Sequence, residues 1–223
     1  MLNRSLFFLF FLINLNSIFS QQLGDDRYRE DQIYISFYYN SLKNGFEKFK
    51  ENKFSSSINF GFIRDIPLNK SGKFALGIGL GFGFNSYNNN LKINQINNNL
   101  NFEFLENQIE YDKNKFISSE IQIPLEIRLR NSSINTYKFW RLYAGIKYSR
   151  VLSSKYKFDS ENIKYHIDDI QLNPHKLGLT LNIGFNTWNI GLYKAIRPFF
   201  DKKNSNLSTD LEEFKVGLIF YIL

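Results

Sequence analysis

Two carboxylates and four cations crowd two short stretches of the chain. Glu120, Glu126, Arg128 and Arg130 lie in FISSEIQIPLEIRLR (Phe116 to Arg130), and Arg141 and Lys147 lie in FWRLYAGIKYS (Phe139 to Ser149). Carboxylates flanking a cleft with room for substrate can act as general acid and base. Here the charges occupy even positions in the first stretch and odd positions in the second. Each set therefore projects from one face of an extended strand, with aliphatic and aromatic residues on the other. Opposite charges on facing surfaces of a narrow interior form ion pairs, so the expected role of all six is a buried structural network rather than catalysis.

Other chemistry-bearing residues point the same way. The run KFALGIGLGFGF (Lys73 to Phe84) is glycine-rich, but its glycines recur at period two between large apolar residues and no helix pattern follows, unlike a nucleotide loop. Glycine weakens a strand unless something approaches closely, so this stripe is expected to leave space for large side chains opposite. His166 and His175 are the only imidazoles, and both fall in a segment read as a loop. The chain has no cysteine, which excludes disulfides, thiolate metal sites and a lipoprotein anchor. No catalytic, cofactor-binding or metal-binding residue is expected. The formal charge of +7 could suit an anionic partner, but the lysines form no basic run and no nucleic-acid signature is present.

The elements that must position these residues are strands. Eight segments of alternating pattern follow one another: 32–42, 54–65, 73–84, 116–130, 138–152, 176–185, 188–196 and 214–223. An even number of such segments, each with one apolar face, predicts an antiparallel up-and-down β-barrel in an outer membrane. Connections alternate in length, with 43–53, 88–115, 154–175 and 199–211 long, and 66–72, 131–136 and 186–187 short. Long loops outside and tight turns in the periplasm are the expected arrangement. The asparagine tract NSYNNNLKINQINNNLN is read as a solvated low-complexity loop.

Residues 1–20 carry Arg4, an apolar run from Leu6 to Leu15 and Ser20, the order of a secretory signal peptide. A short periplasmic segment (21–31) and the barrel (32–223) complete the expected organisation.

Several stretches together resemble the PorT family of outer-membrane β-barrel proteins: DRYREDQIYISFYYNSL, GFIRDIPLN, ALGIGLGFGFNSYNNNL, EIQIPLEIRLR, FWRLYAGIKYS and GLIFYIL. The matches at Arg64, Asp65, Pro67, Pro124, Glu126, Arg128, Trp140, Arg141 and Gly145 carry most weight in a sequence biased towards Ile, Asn, Lys and Phe. The resemblance implies a non-enzymatic accessory or assembly component of the type IX (Por) secretion system, which is coupled to gliding motility in some bacteria. Its implied partners are outer-membrane lipid and other secretion components, with no nucleic acid, cofactor or small-molecule substrate. Barrel size adds that eight strands enclose an interior filled by side chains, so the chain is not expected to be the conduit. Arg64 and Asp65, just before Pro67 at the periplasmic rim, form either a local ion pair or a contact for a periplasmic partner. The alternative functional reading is a small barrel whose outer loops bind surfaces or ligands.

Overall fold

The structure, a computed structural model, describes residues 31–43, 48–96, 99–105, 110–131, 139–201 and 211–222. The expected signal peptide and nearly all of the expected periplasmic segment lie outside the described residues.

The described chain forms β1 (Gln32–Lys43), β2 (Ser56–Pro67), β3 (Phe74–Asn88), β4 (Leu91–Ile96), β5 (Asn99–Phe104), β6 (Lys113–Arg130), β7 (Trp140–Asp159), β8 (Lys164–Asp168), β9 (His175–Phe185), β10 (Trp188–Ala195) and β11 (Glu212–Ile222). Eight of these close into an antiparallel barrel in the order β6-β3-β2-β1-β11-β10-β9-β7, with β7 pairing back to β6. Closure leaves no free edge, which is what a strand protein needs where no water can satisfy backbone groups.

Period-two alternation becomes burial directly. On β2, Asn59 is buried while Phe60 and Phe62 are exposed; on β6, Glu126 and Arg128 are buried while Leu125 and Ile127 are exposed. The barrel therefore carries an outer apolar band and a polar interior. At the periplasmic end of the band, Trp140 packs at a tilt against Phe185 and Trp188 edge-on against Phe220, with centroids 5.1 and 5.5 Å apart. Aromatic rings with amphipathic edges suit that interfacial level. The turn between β9 and β10 is the two residues Asn186 and Thr187, and Asn186 takes the positive φ (54°) that a tight hairpin requires.

Two expected long loops are substantially ordered. Segment 88–115 contains the β4–β5 hairpin and the start of β6, and segment 154–175 contains the top of β7 together with β8, which pairs on it. The asparagine tract is thus corrected from a solvated loop to part of a packed hairpin. Leu91 and Ile93 are fully buried, and Asn89 and Asn90 are buried with their groups satisfied. Asn90 clamps the preceding loop: its amide donates to the Lys48 carbonyl (2.8 Å) and its Oδ1 accepts from the Lys50 backbone (2.7 Å). The apolar residues of this tract are too few and too irregularly spaced to announce burial along the chain.

Candidate functional site: charged lumen and extracellular cap

The lumen holds two layers of buried charge. The layer nearer the periplasm is built on one inward-facing rung in which Asp65, Gly77, Glu126 and Gly145 are successive cross-strand partners. Glycine at position 77 leaves room for the long cation that neutralises Glu126. Arg128 bonds through Nε to Glu126 Oε2 and through Nη1 to Asp65 Oδ1, both at 3.2 Å, and Arg130 Nη2 reaches Asp65 Oδ2 at 2.7 Å. The Arg128 guanidinium also lies 4.4 Å from the Tyr143 ring centroid. Asn182 donates to the remaining Glu126 oxygen at 3.2 Å. A planar fork can bridge two carboxylates from different strands in this way, whereas an ammonium is a point charge. A methyl at Gly77 would sit 2.6 Å from Arg128 Nε, so the expected role of the glycine stripe holds here.

The layer nearer the exterior is built on lysines. Lys176 lies 3.3 Å from Glu120 and 3.5 Å from Glu213, and Lys215 lies 3.0 Å from Glu213. Lys215 donates to Asn85 at 2.7 Å, and Gln122 donates to Glu120 at 2.7 Å and to Asn59 at 2.8 Å. Lys147 sits over the Tyr193 ring at 4.6 Å. Charged groups out of water need counter-charges; Glu120, Lys176, Glu213 and Lys215 supply them to one another, and Lys147 has the Tyr193 ring.

All six residues expected in a lumen network are buried. Their partners differ from the expected strand-to-strand set. Glu120 meets Lys176 on β9, Glu126 meets Arg128 on its own strand, and Arg128 and Arg130 meet Asp65 on β2. Arg141 instead covers the Phe139 ring at 4.2 Å and donates to the Asn186 carbonyl at the periplasmic turn. Asp65, Lys176, Glu213 and Lys215 were missed as lumen charges, although the inward parity of β2, β9 and β11 was the signal that could have found them.

The expectation for Arg64 and Asp65 is corrected in part. They are neighbours on a strand and so point to opposite faces. Asp65 is buried in the lumen, while Arg64 projects outward and pairs with Asp31 at 3.1 Å. A local Arg64–Asp65 ion pair is replaced by these two, and Asp65 is not available on the surface to a partner. His175 lies on the barrel wall, bonded to Tyr148 (2.7 Å) and Arg150 (2.6 Å), and His166 is exposed on β8.

Above the lumen, loops from around the barrel build a cap with its own apolar core. Phe116, Tyr156, Phe158, Phe199 and Phe200 from β6, β7 and the β10–β11 connection meet Leu91, Ile93 and Leu100 from the β4–β5 hairpin. Phe116 contacts Phe199 and Phe200 at centroid distances of 6.1 and 5.6 Å. Tyr165 on β8 fastens the hairpin by donating to the Ile93 carbonyl at 2.9 Å. Lys176 lies 5.3 Å from the Phe199 ring, which joins the upper charge layer to the cap.

Comparison with solved structures returns the crystal structure of Ail, the attachment invasion locus protein of Yersinia pestis, at 15% identity and a TM-score of 0.39, covering 86% of this chain and 96% of that one. The same protein in complex with the heparin analogue sucrose octasulfate matches at 14% identity and a TM-score of 0.40, covering 86% and 97%. No curated protein matches the chain. Residues 19–221 match the family model described as outer membrane protein beta-barrel domain, over nearly the whole barrel whose closure and inward charge are set out above. The chain therefore belongs to the outer-membrane β-barrel domain family.

Proposed function

We propose that this protein is a non-enzymatic accessory or assembly factor of type IX secretion that works through its rims and outer surfaces and not as a conduit. One observation carries the mechanical half of this reading: the interior is occupied by two layers of ion-paired side chains beneath a packed aromatic cap. A folded cargo cannot pass an eight-stranded interior of that kind. The lumen charges Glu120, Glu126, Arg128, Arg130, Arg141 and Lys147 are structural in this reading. Arg64 is the contact offered to a periplasmic partner in this reading, since its side chain is about half exposed. The assignment to secretion rests on the resemblance of the strand motifs to the PorT family.

A null strain tests it. Type IX cargo should accumulate in the periplasm while small-solute permeability of the outer membrane stays unchanged. Normal cargo export in that strain defeats the proposal.

The folded cap favours a second reading, a barrel that presents an extracellular binding surface. Replacing the hairpin at 91–104 with a short linker separates the two, because export should tolerate the change and surface binding should not. Residues 1–20 are proposed as the signal peptide, and the surface protein should then begin near Gln21.

A further inference from the structure

We propose that the outer face of the β6–β7–β8 wall binds the phosphorylated headgroup of an outer-leaflet glycolipid. The argument starts from height. Climbing the outside of this wall, Leu129, Ile127, Leu125 and Ile123 present apolar surface, and Ile121 pairs across with Arg150. One rung higher Ser119 faces Ser153, and above it stand Lys155, Lys115, Lys157 and Lys113. Headgroup phosphates lie directly above the acyl chains, which places these lysines at their level.

Charge pairing along this wall is uneven. Asp159 bridges Lys113 and Lys164, each at 3.1 Å, and Asp168 takes Lys155 at 2.9 Å. Lys115 and Lys157 have no carboxylate among the described residues, yet they face each other directly across the β6–β7 ladder, and Lys157 in turn faces His166 on β8. Like charges directly opposite destabilise a strand pair. Partial burial, followed by the charges of Lys157 and Lys113, lowers the Lys115 pKa. An anion seated between the two ammonium groups turns that repulsion into attraction. A groove of about 520 Å³ opens here, walled by Lys113, Lys115, Lys157 and Lys164, by Asp159, whose charge Lys113 and Lys164 already neutralise, and by the rings of Phe158, Tyr165 and His166.

The neighbouring β2–β3 wall lacks this character. There Ser86, which pairs with Ile117 one rung below the two lysines, faces Ser56. Continuity with the lipid-facing band selects a lipid phosphate over a free anion. The inference is independent of any role in secretion.

The test titrates the full-length barrel in mild detergent with diphosphoryl lipid A and reads bound copies by native mass spectrometry. The double substitution K115E/K157E should weaken binding on the order of thirtyfold or more, since each juxtamembrane lysine contributes a factor of about five. K43E/K48E makes the same change in net charge at exposed extracellular positions and should leave binding unchanged. Lipid A stripped of phosphate should bind no better to the wild type than to K115E/K157E. If that variant loses heat-modifiable migration, K115Q/K157Q replaces it. Equal binding by wild type and variant, equal loss in K43E/K48E, or full binding of the phosphate-free lipid overturns the proposal. Displacement of the lipid by equimolar inorganic phosphate reassigns the groove to a free anion and overturns it as well.

Discussion

The lower and upper parts of the β6–β7 wall are built with opposite polarity. In the lower part Glu120, Gln122, Glu126 and Arg128 point inward from β6, and Ile123, Leu125 and Ile127 point out. In the upper part fully buried Phe116 points inward, while Lys113 and Lys115 are on the outside. On β7 the switch includes a change of parity. Odd residues Tyr143, Lys147 and Ser149 face inward below, and even residues Ser154, Tyr156 and Phe158 face inward above. Glu120 pairs with Val151 and Ser119 with Ser153, so Leu152 is the extra residue of a bulge. The difference teaches that solvent sets the pattern. Where acyl chains surround the wall, apolar side chains face out and the lumen collects charge; where headgroups and water surround it, the ordinary inside-apolar arrangement returns.

Both halves can be broken, and the lower one should fail hardest. Arg128→Leu removes the fork between Asp65 and Glu126 and leaves buried carboxylate charge without its counter-ion, a loss of about 3–5 kcal/mol. An unchanged urea midpoint, followed by heat-modifiable migration, would show that the bridge contributes nothing.

Phe116→Ala removes a ring that touches both Phe199 and Phe200 at the centre of the cap. Truncating a buried aromatic costs about 3 kcal/mol or more. Protease cleavage of the 88–115 segment on whole cells should rise sharply, with the barrel still inserted. Resistance equal to the wild type would mean that the cap does not depend on its core.

Leu125→Lys puts a cation on the lipid face of the lower half and should cost roughly 2–4 kcal/mol near the bilayer midplane. Insertion kinetics and denaturant midpoints in lipid vesicles check this. A midpoint matching the wild type would place Leu125 outside the hydrocarbon.

Gly77→Ala is smaller in size but directed at the same bridge. The added methyl meets Arg128 at Nε and Cδ, so the guanidinium must shift, at about 1–3 kcal/mol for overpacking. Combining it with Arg128→Leu should abolish most of that cost, and additive losses would separate the glycine from the arginine.

Ile117→Lys completes the comparison. This residue faces outward four positions above Ile121, next to the lysines of the upper wall, and its replacement should cost only about 0–1 kcal/mol because the site lies at or above the interface. A loss equal to that of Leu125→Lys would raise the membrane boundary by a full tier and remove the polarity contrast.

Much of this molecule is legible along the chain. Period-two alternation in FISSEIQIPLEIRLR or KFALGIGLGFGF reports which side chains share a face, because successive residues of a strand must point opposite ways. Eight such segments with alternating loop lengths determine a barrel, and inward charge at Glu126, Arg128 and Lys147 follows from parity alone. Partner identity does not follow. Asp65 reaches Arg128 and Arg130 from 63 and 65 residues away, and Glu120 finds Lys176 across the lumen, because the stagger of strands around the closed barrel decides which inward residues share a level. The cap was also hidden. Its residues come from several segments, Leu91, Ile93 and Leu100 from one and Tyr156, Phe158, Ile167 and Ile170 from another, spaced too irregularly within each to form a sustained periodic signal, and only closure of the barrel brings them over one opening where they exclude water together. The bulge at Leu152 belongs to the same class, since a change of parity is set by the partner strand and not by the residues that carry it.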